Sequence, residues 1–334
     1  MVEYLVVRCH GLATHLLPNQ VTEGLISSKN LKDFADMLGL TDYGQRIREL
    51  KKVDAHALER IFNEELVERY KRVIEAAPDN LKEFLRSYCR RLEVQALSRV
   101  LRGKFLKSPP QEIKRTLPPL NGLSEINLEK IAEAETVEEA VELLKLSPYE
   151  EVAGSLDWCR KYNTALPLEF HLKRIYYTIV LEALRNVPSE DRERIRNLLG
   201  IEIDAVNCFM ALAPYLYGYS PELVNQLFIP YFFKLAPSKL QEAARAKSPR
   251  AIMKLLAEYK DLARALLEEG DEVLAESVAL TLLKKEVKRQ MLETSIALTY
   301  VVCFLILCEI ERRNLVFLAF SLEQNLEPKN YVVI

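Results

Sequence analysis

Apolar side chains recur every three to four residues through most of the chain, with Glu, Lys and Arg filling the intervals. Leu58, Ile61, Phe62, Leu66, Tyr70, Val73 and Ile74 form one stripe. Leu168, Leu172, Ile175, Tyr176, Ile179, Val180 and Leu184 form a second, entered just after Pro167. At 3.6 residues per turn each stripe falls on one side of a helix and predicts that this side is buried. Start signals agree. Thr136 with Glu139 makes a capping box, and Ser220-Pro221 and Ser248-Pro249 each put a hydroxyl cap ahead of a proline at the first helical position. Strand-like patterns are confined to residues 4–7 and 331–334. An all-α fold is expected.

The helical pattern itself repeats. Residues 93–144 match residues 204–256 at an offset of 111, which becomes 112 after one insertion. Glu93 falls on Asp204, Leu101 on Leu212, Pro110 on Pro221, Thr136 on Ser248 and Leu144 on Leu256. A third onset begins at Glu311, with Asn314 on Asn207 and Pro328 on Pro221 at an offset of 107. Residues 30–43 overlay residues 136–149 at an offset of 106 and supply the other part of the unit. Helical solenoid repeats run about 34 to 47 residues, so this longer period implies three domain-like copies. The expected units are residues 1–92, completed by the C-terminal onset, then 93–203 and 204–310, with 311–334 as a partial repeat. Three copies most simply arrange around a pseudo-threefold axis.

Length and charge narrow the classes. The 334 residues carry 46 basic and 48 acidic side chains, a net charge of −2, so the whole chain is not built to coat a polyanion. The six cysteines (Cys9, Cys89, Cys159, Cys208, Cys303 and Cys308) lie far apart with no Cys-x-x-Cys, which predicts reduced, mostly buried thiols in a cytoplasmic protein. The most apolar run, residues 295–308, has fourteen uncharged positions. A membrane span needs about 20, so this run is expected to be a buried core helix.

Enzyme signatures are absent: no phosphate-binding glycine loop, no His-Glu-x-x-His and no Gly-x-Ser-x-Gly occurs. Gly103-Lys104 lacks the upstream glycine of a phosphate loop and is expected to be a helix-end glycine followed by a solvated lysine. Cys9, His10 and His15 are the one cluster to weigh as metal ligands, but five residues between the histidines turn them about 140° apart on a helix. His56 and His171 stand alone. Carboxylate pairs such as Glu64-Glu65, Glu138-Glu139, Glu150-Glu151 and Glu268-Glu269 sit in charge-mixed helical surroundings and are expected on solvated faces. No catalytic residue, metal site or cofactor is expected.

Residues 86–115 hold the one strong charge asymmetry, nine Lys or Arg against Glu93 and Glu112. Arg86, Arg90, Arg91, Arg99, Arg102, Lys104 and Lys107 are the candidate partner-binding residues. Only Tyr88 and Phe105 could stack on bases there, so a face meeting an acidic neighbour or a lipid headgroup surface is favoured over nucleic-acid binding.

Four stretches in order carry a resemblance: YLVVRCHGLATHLL with LKDFADMLGLTDY, EVQALSRVLRGKFLKSPPQEI, DAVNCFMALAPYLYGYSPELVNQLFIPYFFKLAPSKLQEAARAKS, and IERRNLVFLAF. Together they make the chain similar to the C subunit of the archaeal A-type (vacuolar-like) ATP synthase, a family related to the d subunit of the eukaryotic V-ATPase. It departs from that pattern at Ala213-Pro214-Tyr215, Tyr231-Phe232 and Val316. The resemblance implies a non-catalytic, funnel-shaped, three-lobed rotor part in the central stalk of a proton- or sodium-translocating complex. It further implies partners in the D and F subunits of the central shaft and in the membrane proteolipid ring. The chain would lie peripherally on the cytoplasmic face without spanning the membrane. The alternatives are a helical-repeat scaffold outside rotary ATPases, or a nucleic-acid binder using residues 86–115. Glu93, Asp204, Glu311, Asn207, Asn314, Pro110, Pro221 and Pro328 are the positions at which the repeat is anchored.

Overall fold

A computed structural model describes residues 2–120, 122–328 and 331–334. Five helices open the chain: α1 (Val2–Ala13), α2 (Asn19–Ile26), α3 (Leu31–Leu38), α4 (Gly44–Arg48) and α5 (Ala55–Ala76). Then come α6 (Asp79–Cys89), α7 (Arg91–Phe105), α8 (Pro110–Arg115), α9 (Leu128–Glu133), α10 (Val137–Glu142), α11 (Leu156–Tyr162) and α12 (Leu166–Ala183). The rest is α13 (Ser189–Tyr217), α14 (Pro221–Leu227), α15 (Pro237–Arg245), α16 (Pro249–Leu255), α17 (Lys260–Leu267), α18 (Glu272–Glu293) and α19 (Leu298–Glu323). The fold is all-helical, with no strand among the described residues. Residues 4–7 lie in α1 instead of a strand: neighbouring Leu5 and Val6 are both buried while Tyr4 and Val7, three apart, are both exposed, a spacing that only a helix satisfies. Residues 331–334 form a turn and irregular chain.

Two compact units result, one made of Met1–Lys82, Pro188–Leu198 and Glu272–Ile334, the other of Glu83–Val187 and Leu199–Asp271. In the first, α19 packs against α5, α18 and α1. All seven members of the α5 stripe are buried, and Phe34, Leu38, Tyr43, Phe62, Leu315 and Leu318 share one core. Burying each large apolar side chain contributes about 1.5–3 kcal/mol, so α5 and α19 dominate this unit's stability. The apolar run begins as a turn, and from Leu298 to Ile306 every residue of α19 is buried. That helix has no cap of its own. Asp191 of α13 provides one, accepting from the backbone N–H groups of Leu298 (3.3 Å) and Thr299 (2.8 Å) and from the Thr299 hydroxyl (2.6 Å). Among the described residues α13 is the one helix long and apolar enough to cross a membrane, and 67% of its apolar window is buried inside the protein.

In the second unit α7 packs on α12, α9 and α10. The α12 stripe is buried apart from the half-buried Ile179, and the helix starts one residue before Pro167, not after it. Gly103 lies inside α7, not at its end: a Cβ there would stand 2.8 Å from Cγ1 and Cδ1 of Ile113, so the missing side chain is what lets α8 approach. Lys104, expected in solvent, is 4% exposed: it lies on the α7 face that packs against neighbouring helices. Caps fall where the sequence places them. Thr136 accepts from Glu139 N, Ser220 from Leu223 N and Ser248 from Ala251 N. The Glu139 carboxylate reaches the N–H of Glu135, one residue ahead of the usual capping-box partner.

Candidate partner interface and the repeated acid clasps

The acids at the repeat positions share one arrangement. Glu93 on α7 accepts from the Tyr149 hydroxyl (2.5 Å), the Ser124 hydroxyl (2.6 Å) and the N–H groups of Glu125 and Ile126. Asp204 on α13 accepts from the Tyr259 hydroxyl (3.3 Å) and from the N–H groups of Phe233, Lys234 and Leu235. Glu311 on α19 accepts from the Tyr43 hydroxyl (2.7 Å), Leu17 N (2.5 Å) and the Arg69 guanidinium (2.8 Å). In each case a carboxylate on a long helix pins a later or earlier stretch of backbone and a tyrosine. Burying a carboxylate is tolerable only when donors surround it, and each of these has at least three. Burial, and then the adjacent Glu311, holds the Tyr43 phenol well above its ordinary range, so the hydroxyl stays a donor. Desolvation likewise raises Tyr149 and Tyr259, and raises Asp204 against the pull of its backbone donors.

The asparagines work as backbone clamps. Asn207 accepts from Ile229 N (2.8 Å) and donates to Ile229 O (3.1 Å); Asn314 accepts from Val333 N (3.0 Å) and donates to Val333 O (2.8 Å). Pro110 and Pro221 are the first residues of α8 and α14, whereas Pro328 lies in irregular chain after α19. Sequence reasoning found these anchors but not their tyrosine partners. The signal was there: Tyr43 and Tyr149 end the two overlaid stretches.

The basic segment divides by environment. Arg91 is 9% exposed; its guanidinium lies 4.2 Å over the Tyr88 ring, bonds the Tyr176 hydroxyl and pairs with Glu202 at 3.2 Å. Lys104 is buried, and desolvation, reinforced by Lys114, lowers its pKa. Arg90 pairs with Glu125, Arg102 with Glu169, and Arg99 donates to Thr116 O. Arg86 and Lys107 are exposed, Lys107 with a left-handed backbone (φ 57°).

The other candidates resolve into structural roles. His10 stacks on Tyr300 and bonds Ser295 O, His15 meets Asp42 at 2.9 Å, and Cys9 is buried. No cluster of His, Cys, Asp and Glu suited to a metal occurs among the described residues. All six cysteines are buried and unpaired. His171 bonds the Ser155 hydroxyl, and burial lowers its pKa. Glu65 corrects the expectation of a solvated pair with Glu64: it is buried, held by Arg46 (2.7 Å) and Arg69 (3.1 Å). A cavity of about 180 Å³ in the first unit is walled by Leu16, Thr22, Lys284, Glu311 and Leu318.

Comparison with known proteins is consistent over the length of the chain. The profile of the ATP synthase (C/AC39) subunit family matches residues 5–331. Three curated relatives are each named as the C subunit of an A-type ATP synthase. The Pyrococcus abyssi protein is 25% identical over 334 residues, covering 98% of this chain and 88% of the relative. The Methanocaldococcus jannaschii protein is 26% identical over 275 residues, 80% of this chain and 68% of the relative. The Thermococcus kodakarensis protein is 24% identical over 232 residues, 68% of this chain and 60% of the relative.

Proposed function

Because this chain belongs to the ATP synthase (C/AC39) subunit family, we propose that it is a non-catalytic rotor part of an A/V-type ATP synthase, joining the membrane proteolipid ring to the central shaft. The observation that carries this reading is the threefold recurrence of one clasp: Glu93 with Tyr149, Asp204 with Tyr259, Glu311 with Tyr43. A part seated on a rotation axis gains from similar walls facing that axis, which favours three units about a pseudo-threefold and a funnel whose hollow holds the shaft end. The residues 1–92, completed from 311–334, then 93–203 and 204–310, are those walls. Torque passes through a body only if it deforms little, and buried carboxylates tied to distant backbone stiffen close-packed helices.

The partners in this reading are the D and F shaft subunits on one side and the proteolipid ring on the other, with the chain peripheral at the cytoplasmic face. Of the seven candidate residues, Arg86, Lys107 and the outer part of Arg102 are the most accessible to an acidic partner; Arg91 and Lys104 support the fold behind them. The test is reconstitution of the purified chain with the ring in detergent and with the shaft proteins. Co-sedimentation with both, and no ATP turnover by the chain alone, is expected. A folded chain that binds neither ring nor shaft sinks the reading.

A further inference from the structure

Lys284 and Lys288 stand one turn apart on α18, and both line the cavity of about 180 Å³ in the first unit. Residues four apart share a helix face, so two ammonium groups border one space. Neither pairs with an acid among the described residues. Lys284 donates to Val333 O at 3.3 Å, a long bond for a charged donor that leaves two of its three N–H groups to other acceptors. Glu311 also lines the cavity, but its carboxylate is already engaged by the Tyr43 hydroxyl, Leu17 N and Arg69. Burial, and then Lys288, lowers the pKa of Lys284 to about 8, with Glu311 pulling the other way. At neutral pH this wall therefore carries more positive charge than its own acid offsets.

The facing walls are apolar, with Leu16, Leu307, Ile310 and Leu318 among them. Ile310 and Leu318 are buried, while Asn19 and Lys288 are exposed and mark the opening to solvent. A cavity of about 150 Å³ is known to take up benzene, so this one has room for about six to eight non-hydrogen atoms. An inorganic anion meets the lysines but wastes the leucines. A neutral hydrocarbon does the reverse. A carboxylate on a short aliphatic tail meets both, accepting charge-assisted hydrogen bonds at one end and burying apolar surface at the other.

We infer that this cavity is a binding site for a small amphipathic carboxylate, its head held by Lys284 and Lys288 and its tail lying against Leu16, Leu307, Ile310 and Leu318. Two sources offer that chemistry: a free short-chain acid, which fits within the walls, and a fatty acid, whose longer tail leaves through the opening. The walls come from the end of the α1–α2 connection, α2, α18 and α19, so an occupant touches elements from both ends of the chain. Because the site exists only when these elements are assembled, the ligand stabilises the folded unit by mass action.

The test is equilibrium dialysis of the full-length chain against radiolabelled hexanoate and, separately, palmitate. Saturable hexanoate binding of about millimolar affinity is expected for a ligand of this size. Acetate, hexanol and inorganic phosphate should each bind about tenfold more weakly or worse, since each lacks the head or the tail. Lys284→Met and Lys288→Met should each weaken the bound acid about tenfold, the loss of one hydrogen bond to a charged group. Lys285→Met, which removes an exposed lysine of α18 that does not line the cavity, should change nothing. The acid should also raise the thermal midpoint of the wild type more than that of Lys284→Met. Tighter binding of palmitate than of hexanoate assigns the site to a fatty acid, and the reverse order to a soluble short-chain acid; either order upholds it. No saturable binding of either acid, phosphate bound as tightly as hexanoate, or wild-type affinity for the acid in a variant carrying both Lys284→Met and Lys288→Met overturns it.

Discussion

Tyr43 donates to Glu311 across 2.7 Å although 268 residues separate them in the chain. Arg69 reaches the same carboxylate at 2.8 Å and Leu17 N at 2.5 Å, so three elements from the chain's beginning converge on one acid near its end. The other two clasps close over 56 and 55 residues. Tyr43→Phe and Tyr149→Phe should each destabilise by about 1.5–3 kcal/mol, the range for a buried hydrogen bond to a charged group. Tyr259→Phe, at 3.3 Å, should lose less. Glu311→Ala should exceed all three, about 3 kcal/mol or more, because it removes the shortest of the three ion pairs of the buried Arg69, leaving Glu65 at 3.1 Å and Asp42 at 3.6 Å. Urea denaturation of the four variants ranks them; a Tyr43→Phe curve that overlays the wild type contradicts the clasp.

Lys284 supplies a pH test. Burial, and then the neighbouring Lys288, lowers its pKa to about 8, with Glu311 pulling the other way. The unfolded value is about 10.4, so between those limits the unfolded chain binds the extra proton and this residue makes stability rise with pH. Below pH 8 the ammonium is charged in both states and its full desolvation penalty remains. Lys284→Met should therefore be more stable than wild type at pH 7, by about 1 kcal/mol after allowance for screening of a partly exposed group. The gap should close as pH climbs from about 8 to about 10. Thermal or urea unfolding of the pair at each pH reads the difference directly, since other titrating groups cancel.

Leu146→Asn should raise stability by about 1 kcal/mol, since asparagine tolerates the left-handed region that leucine resists. Leu40→Asn has no such strain to relieve and should stay within about 0.5 kcal/mol of wild type. Differential scanning calorimetry separates the two; equal shifts would show that the conformation at Leu146 carries no cost.

Gly103→Ala sets helix propensity against packing. Alanine gains about 1 kcal/mol in a helix interior, yet its Cβ meets Ile113 at 2.8 Å, and overpacking of a close helix contact costs about 1–3 kcal/mol. Net destabilisation is expected, and it should shrink in an Ile113→Ala background, where Cγ1 and Cδ1 are gone. A stabilised Gly103→Ala single variant would mean that α8 moves away freely.

The helices were legible from a long stripe, as at α5 and α12, or from a cap ahead of a proline, as at α14, because periodicity reports which side is covered and a cap reports where a helix starts. Environment was less legible. Glu65 and Arg69 are spaced like any solvated helix pair, and only the arrival of α19, far along the chain, buries them. A charge count treats Arg86 and Arg91 alike, but Arg91 follows Tyr88 by three residues and is drawn onto its ring, while Arg86 faces solvent. Residues 4–7 read as a possible strand because four positions are too few to distinguish a period of 2 from one of 3.6. The clasp acids are marked by repetition, and so are Tyr43 and Tyr149, which end the two overlaid stretches, but nothing local marks which carboxylate each phenol will meet. Leu146 follows the buried Leu144 by two residues, and its full exposure goes with a left-handed backbone turn that hydrophobic spacing does not encode.

The first compact unit is assembled from Met1–Lys82, Pro188–Leu198 and Glu272–Ile334. A ribosome emits these pieces in order, so Tyr43 and Arg69 meet Glu311, and the core around Phe62 closes over Leu315 and Leu318, only once α19 has been made. The second unit, complete by Asp271, can fold while synthesis continues. Residues 1–82 are therefore completed later than the second unit although they precede it in the chain, and nascent chains stalled before α19 should present them to chaperones and proteases.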